Sequence, residues 1–179
     1  MPKNPYAETP AGTLRKLNDE WKKHHTWVSP TGHDDPSGVW IDEINAYDDN
    51  LVTYATCNVP KQSWSGWLVL THAALTCDKI RYYLNSIMHA DINDMIVEVE
   101  KDGSWTEIFH GAPVLGSWVE KTFTEGSVTG MHLKFYNSGS LINWAAMPCE
   151  VDFWEVPPPV VWGGSALPQL QMAKAILEL

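Results

Sequence analysis

The stretch Ile44-Asn45-Ala46-Tyr47-Asp48-Asp49-Asn50-Leu51-Val52-Thr53-Tyr54-Ala55, INAYDDNLVTYA, places two adjacent aspartates and an asparagine between apolar residues, with a threonine three positions further on. Short polar side chains in this setting do one of two things. They hydrogen-bond their own backbone as an Asx-type turn, or they gather oxygen atoms around a hard cation. The chain on either side decides what kind of fold this loop belongs to.

Downstream of it the pattern is that of β structure. WLVL (67–70) is a short buried run, and KIRYYL (79–84) alternates with Ile80, Tyr82 and Leu84 on one face. In MIVEVEKDGSWTEIF (95–109), Val97 and Val99 alternate with Glu98 and Glu100. Asp102-Gly103 then supplies a hairpin turn that reverses the chain into Trp105–Phe109. SWVEKTF (117–123) follows. MHLKFYN (131–137) puts Met131, Leu133 and Phe135 on one side, and EVDFWEV (150–156) sets Val151 and Phe153 against Asp152 and Trp154. About eight short strands with turn residues between them, and no intervening helix, predict an all-β antiparallel sandwich or jelly roll over residues 27–156.

Two extensions flank this body. In residues 1–26, Thr9 and Pro10 suit the N-cap and first position of a short helix that carries Leu14, Leu17 and Trp21 at helical spacing. Residues 157–179 open with three prolines, a stiff extended linker. The segment then reads as a C-terminal helical arm with apolar residues around most of its circumference. Leu170, Ile176 and Leu177 are its expected subunit contacts, since so much apolar surface must dock.

The charge is uneven. The chain carries −10 overall; residues 1–25 hold five basic and three acidic side chains, residues 26–156 six and eighteen. An acidic body lacks the basic footprint of nucleic-acid binding. The amino-terminal residues show no signal-peptide h-region, and no apolar run reaches membrane-spanning length, so no membrane insertion is expected. Cys57, Cys77 and Cys149 lie in apolar contexts and read as buried free thiols rather than a Cys57–Cys77 bridge plus one. Ten tryptophans are unusually many for 179 residues, and core packing is the expectation for most of them.

With those elements in place, AYDDNLVTY resembles the early loop of discoidin-type (F5/8 type C, galactose-binding-like) domains, in which Ala, an aromatic, Asp-Gly-Asp/Asn, two further residues, Thr and an aromatic recur. Ala46, Tyr47, Asp48, Asn50, Thr53 and Tyr54 fall in register with it. SWSGWLVL resembles the family's tryptophan-bearing strand, TCDKIRYY its next core strand, and CEVDFWEV its closing strand led by Glu150. The match spans about 27–156. It implies a structural Ca²⁺ held by Asp48, Asn50, Thr53 and Glu150. Two departures stand out: Asp49 occupies the usual Gly position, and the terminal cysteine pair of secreted relatives is absent.

No GxSxG, Walker loop, HExxH or helically spaced His pair is present, so no enzyme is expected. GHDDPSG (32–38) reads as a solvated loop. The leading expectation is a structural protein of a large particle. It would be a phage or virus virion component (capsid decoration, fibre or tail protein), assembled in the host cytoplasm and homo-oligomeric through its arms. The alternative is a carbohydrate-binding module for cell-surface glycan. Trp64 and Trp144, in the contexts KQSWSG and LINWAAM, are its candidate stacking residues.

Overall fold

The computed structural model describes residues 26–156, the whole of the expected sandwich. The two extensions, with Leu170, Ile176 and Leu177, lie outside the described residues.

Eleven strands make up the body: β1 Thr26–Val28, β2 Gly32–Asp34, β3 Trp40–Ile41, β4 Thr56–Val59, β5 Ser63–Trp64, β6 Leu68–Leu84, β7 Ile92–Lys101, β8 Ser104–Gly111, β9 Trp118–Asn137, β10 Trp144–Ala146 and β11 Pro148–Glu155. One 3-10 turn, Glu43–Ala46, precedes the acidic loop. All strand pairings are antiparallel. The larger sheet runs β1-β11-β6-β9-β7-β8, with β2 on β6 and β5 on β9; a smaller one runs β10-β4-β3.

The short runs expected at 67–70 and 79–84 are one strand, β6, of 17 residues. Those expected at 117–123 and 131–137 are likewise one strand, β9, of 20 residues. The intervening THAALTCD and TEGSVTG look like breaks because their alternation fails. They are in fact register shifts, between Thr71 and Leu75 and between Cys77 and Lys79, that bend the strands without ending them. Each long strand thereby serves two parts of the sheet. The second half of β6 runs beside β11 and the first half of β9. Its first half runs beside β2 and the later part of β9, which continues into β7.

Side chains from both parts merge into one core. Leu68, Leu70, Val97, Met131, Leu133 and Phe135 meet Ile80, Tyr82, Leu84, Val151 and Phe153, all fully buried, and the small sheet adds Cys57, Val59 and Ala146. The period-2 alternation read from the sequence is the alternation of burial seen here. The Asp102-Gly103 hairpin also forms as expected: both residues have positive φ (51° and 79°), the condition for a two-residue turn matched to strand twist. The three cysteines are buried and free.

The tryptophans depart from expectation. Of the eight described, only Trp40 is a core residue. Aliphatic side chains fill most of the interior; Trp144 packs partly buried against it, Trp105 is exposed, and the remaining indoles are half-buried, several with cations or histidines beside them. The Arg81 guanidinium sits 3.9 Å over Trp118 and 4.5 Å over Trp27. His132 is stacked between Trp67 and Trp105, at 3.7 and 3.8 Å. An outward position on a pleated sheet leaves room for a large ring and for a polar neighbour against its face.

Candidate functional site

The acidic loop leaves the 3-10 turn at Tyr47 and is tied to the closing strand where the Ala55 N–H donates to the Pro148 carbonyl at 3.0 Å. Within it, Asp48 and Asn50 each accept from the backbone N–H two residues on, those of Asn50 (3.1 Å) and Val52 (3.2 Å). These are Asx turns. Thr53 Oγ1 lies 2.9 Å from Asp48 Oδ2 and 2.8 Å from the Asn50 carbonyl, so the hydroxyl closes the loop on itself.

The four expected metal ligands lie together: Asp48, Asn50 and Thr53 bond one another, and the Asn50 N–H donates both to Asp48 Oδ1 at 3.1 Å and to Glu150 Oε2 at 3.2 Å. Asp49 and Asp152 also come close to Glu150, with one oxygen from each of the three within 4.8 Å of the others. Asp49 adopts φ 60°, the left-handed conformation that a glycine takes freely and that Asp tolerates better than most residues. That backbone turn separates its carboxylate from that of Asp48.

The electrostatics of this trio are lopsided. Asp152 accepts from Arg81 Nε at 2.7 Å and from the Ser29 hydroxyl at 3.0 Å. Glu150 is 2% exposed, and its Oε1 has no hydrogen-bond partner among the described residues. Burial, reinforced by the Asp152 carboxylate, pushes the Glu150 carboxyl up to about 7. Three ionised carboxylates and one guanidinium sum to −2. Hard oxygens with a buried unpartnered one among them fit the chemistry of a divalent cation such as Ca²⁺.

A second constellation lies where the β6–β7 and β9–β10 connections meet. Buried Asn137, the last residue of β9, folds the following loop: its side-chain amide donates to the Val59 and Ile142 carbonyls, and its Oδ1 accepts the Gly139 N–H at 2.8 Å. The Ser138 N–H donates to the Asp91 carbonyl at 2.8 Å, which fastens the two connections together. Between them opens a cleft of about 390 Å³ lined by residues 138–142, Asp91 and Trp144.

Trp144 is held from two directions. Its indole Nε1–H donates to Asp91 Oδ2 at 2.9 Å, and the His89 imidazole stacks on it with ring centroids 3.4 Å apart and planes within 4°. The Asp91 N–H donates to His89 Nδ1 at 3.1 Å, so that nitrogen is the acceptor and the ring carries its proton on Nε2. Gly139 passes so near that a Cβ there would sit 2.6 Å from Asp91 Oδ2. Leu141 and Ile142 form an exposed apolar margin.

Trp64, the other expected stacking residue, does not line this cleft. It stands in strand β5 opposite Tyr136, with the Tyr136 ring 5.3 Å away and the Lys134 ammonium 5.1 Å over it. Trp144 likewise begins strand β10 rather than lying in a loop. GHDDPSG is part strand: Gly32–Asp34 pairs with β6, and Asp35 accepts from the backbone N–H of Ser37 and Trp40. His89 and Asp91 carried no motif. Their role depends on a loop 53 residues away in sequence closing over them.

No family model matches the chain, and no curated protein matches it by sequence. Solved structures match its fold. The CBM32 of AlyQ, in complex with 4,5-unsaturated mannuronic acid, aligns with a TM-score of 0.53 at 14% identity, over 72% of this chain and 97% of that one. The CBM32-1 and CBM32-2 domains of Clostridium perfringens ZmpB, in complex with GalNAc, align with a TM-score of 0.55 at 14% identity, over 78% of this chain and 37% of that one. The C-terminal domain of a Bacteroides fragilis chitobiase aligns at 0.52 and 13%, over 74% of this chain and all of the other. At such identities the likeness is one of fold. That fold is the galactose-binding-like (discoidin) β-sandwich that the sequence resembles.

Proposed function

We propose that this chain is a non-enzymatic carbohydrate-binding module whose ligand occupies the cleft between the β6–β7 and β9–β10 connections. One observation carries this reading. Trp144 is clamped by Asp91 at its nitrogen and by His89 on one face, and what remains of it borders an open cleft. A fixed aromatic surface beside a carboxylate and serine hydroxyls suits a sugar ring, with its apolar C–H face and polar rim. That glycan-bound modules share the fold supports the reading, and favours it over the virion component.

The test is a glycan array followed by titration calorimetry on the hits. Trp144→Ala lowers affinity for them at least about tenfold, as removal of an anchoring aromatic does; Trp64→Ala leaves it unchanged. Equal affinity of Trp144→Ala and the parent chain would place the ligand elsewhere.

We also assign a structural Ca²⁺ to the acidic loop, with Glu150 and Asp49 as its principal carboxylates and Asp152 as a third held back by Arg81. Bound there, the ion would neutralise the trio and fasten the loop to β11. The support is the buried Glu150 carboxylate, with its Oε1 unpartnered among the described residues, close to those of Asp49 and Asp152.

A further inference from the structure

We infer that the cleft selects its sugar by charge: it takes a hexose carrying a protonated amine, whose ammonium lies against Asp91, in preference to an acylated or acidic one. This rests on the glycan reading above and specifies its ligand class.

Asp91 is the one charged side chain among the lining residues; the rest are serine, glycine, leucine, isoleucine and tryptophan. Its carboxylate accepts only and has about four lone-pair sites, one of which meets the Trp144 indole N–H. Neighbouring donors do not compete for the others. The Ser138 hydroxyl is directed to the Asp91 backbone carbonyl. His89 Nδ1, 3.6 Å from Asp91 Oδ2, is already the acceptor of the Asp91 N–H and cannot also supply a proton. Among the described residues, no lysine or arginine side chain lines the cleft to receive a sugar carboxylate. An ammonium brings three donors and the opposite charge to a group in need of both. A uronate would meet like charge, both at Asp91 and from a chain of net charge −10.

The effect is modest in size, because the Asp91 side chain is 42% exposed and solvent screens the pair. Exposed charge pairs correspond to a preference of roughly threefold to fivefold at low salt.

The experiment compares three oligomers of equal length by titration calorimetry: glucosamine, N-acetylglucosamine and a uronic acid. The parent chain is expected to bind the amine form tightest and the uronate weakest, with the amine preference shrinking as salt is raised. Asp91→Asn, which keeps an acceptor for the indole N–H, is expected to bring the amine-to-acetyl ratio close to one. The overall field changes by a single charge in that variant, so loss of the ratio locates the preference at Asp91. A ratio that survives Asp91→Asn, or that is already one in the parent chain, overturns charge selection and leaves the glycan reading standing. If none of the three oligomers and no array glycan binds, both fail together.

Discussion

Tyr82 is wholly buried and its hydroxyl meets no hydrogen-bond partner among the described residues, which leaves a desolvated polar group in the core. Tyr82→Phe removes the group without opening a cavity, so it should stabilise the body by about 1 kcal/mol, read from chemical denaturation. Asp78 and Glu150 each hold a further buried oxygen without a partner among the described residues. The Glu150 carboxyl is pushed from an ordinary 4.5 up to about 7 when folded. The native state therefore holds its proton more tightly than the unfolded chain does. This contribution to stability is fully present below pH 4.5 and is lost as pH rises through 7. In chelator, the melting temperature of the parent chain should fall across that interval, and Glu150→Gln should flatten the fall. Calcium should reverse the sign, since it binds the ionised form. A chelated protein with no dependence on Glu150 would remove the basis for the ion. The loop and Glu150 were both legible in the sequence as candidates. What it could not convey is which of two adjacent aspartates faces Glu150, because that depends on the left-handed turn at Asp49, and a side chain's direction is not written in its neighbours.

At the scale of elements, alternation proved the most informative signal. Ile80, Tyr82, Leu84, Val97, Val99, Met131, Leu133 and Phe135 are all inward, as their spacing implied. The length of β6 and β9 was hidden, because register shifts interrupt the alternation in the same way a turn does. The indoles were misread for a related reason: size argues for burial, but outward positions with Arg81, Lys134 or His132 beside them offer cover without a core. The β7–β8 hairpin gives a direct test. Gly103 sits at φ 79° with nothing within 4 Å of an added Cβ, so Gly103→Ala should cost only backbone conformation, roughly 1–2 kcal/mol of stability. At the cleft, Gly139→Ala does meet neighbours. Its Cβ would sit 2.6 Å from Asp91 Oδ2 and 2.9 Å from Asn137 Oδ1, so it should weaken binding of the proposed ligand several-fold and also lower stability by disturbing the buried Asn137, both read by calorimetry.

Taken whole, the molecule carries two candidate sites on one framework: the acidic loop is tied to the closing strand, and the cleft lies where β7 begins and β9 ends. Saturating calcium at about a hundred times its dissociation constant should stabilise the body by about 2.7 kcal/mol, roughly 10 °C in melting temperature. Differential scanning calorimetry with and without chelator reads this, and an unchanged transition would leave the loop an ordinary turn. The fold class was legible in the order of several loose motifs. The cleft was not, because Asp91 and Trp144 become neighbours only once β7, β9 and β10 are in place.

The first and last strands of the body lie side by side, Thr26 opposite Glu155 in the β1–β11 pair. Entry and exit are thus a few ångströms apart. A polypeptide carrying this unit in one of its surface loops would need to part its own backbone scarcely at all, and a pull along that backbone would load the three-residue β1–β11 ladder first.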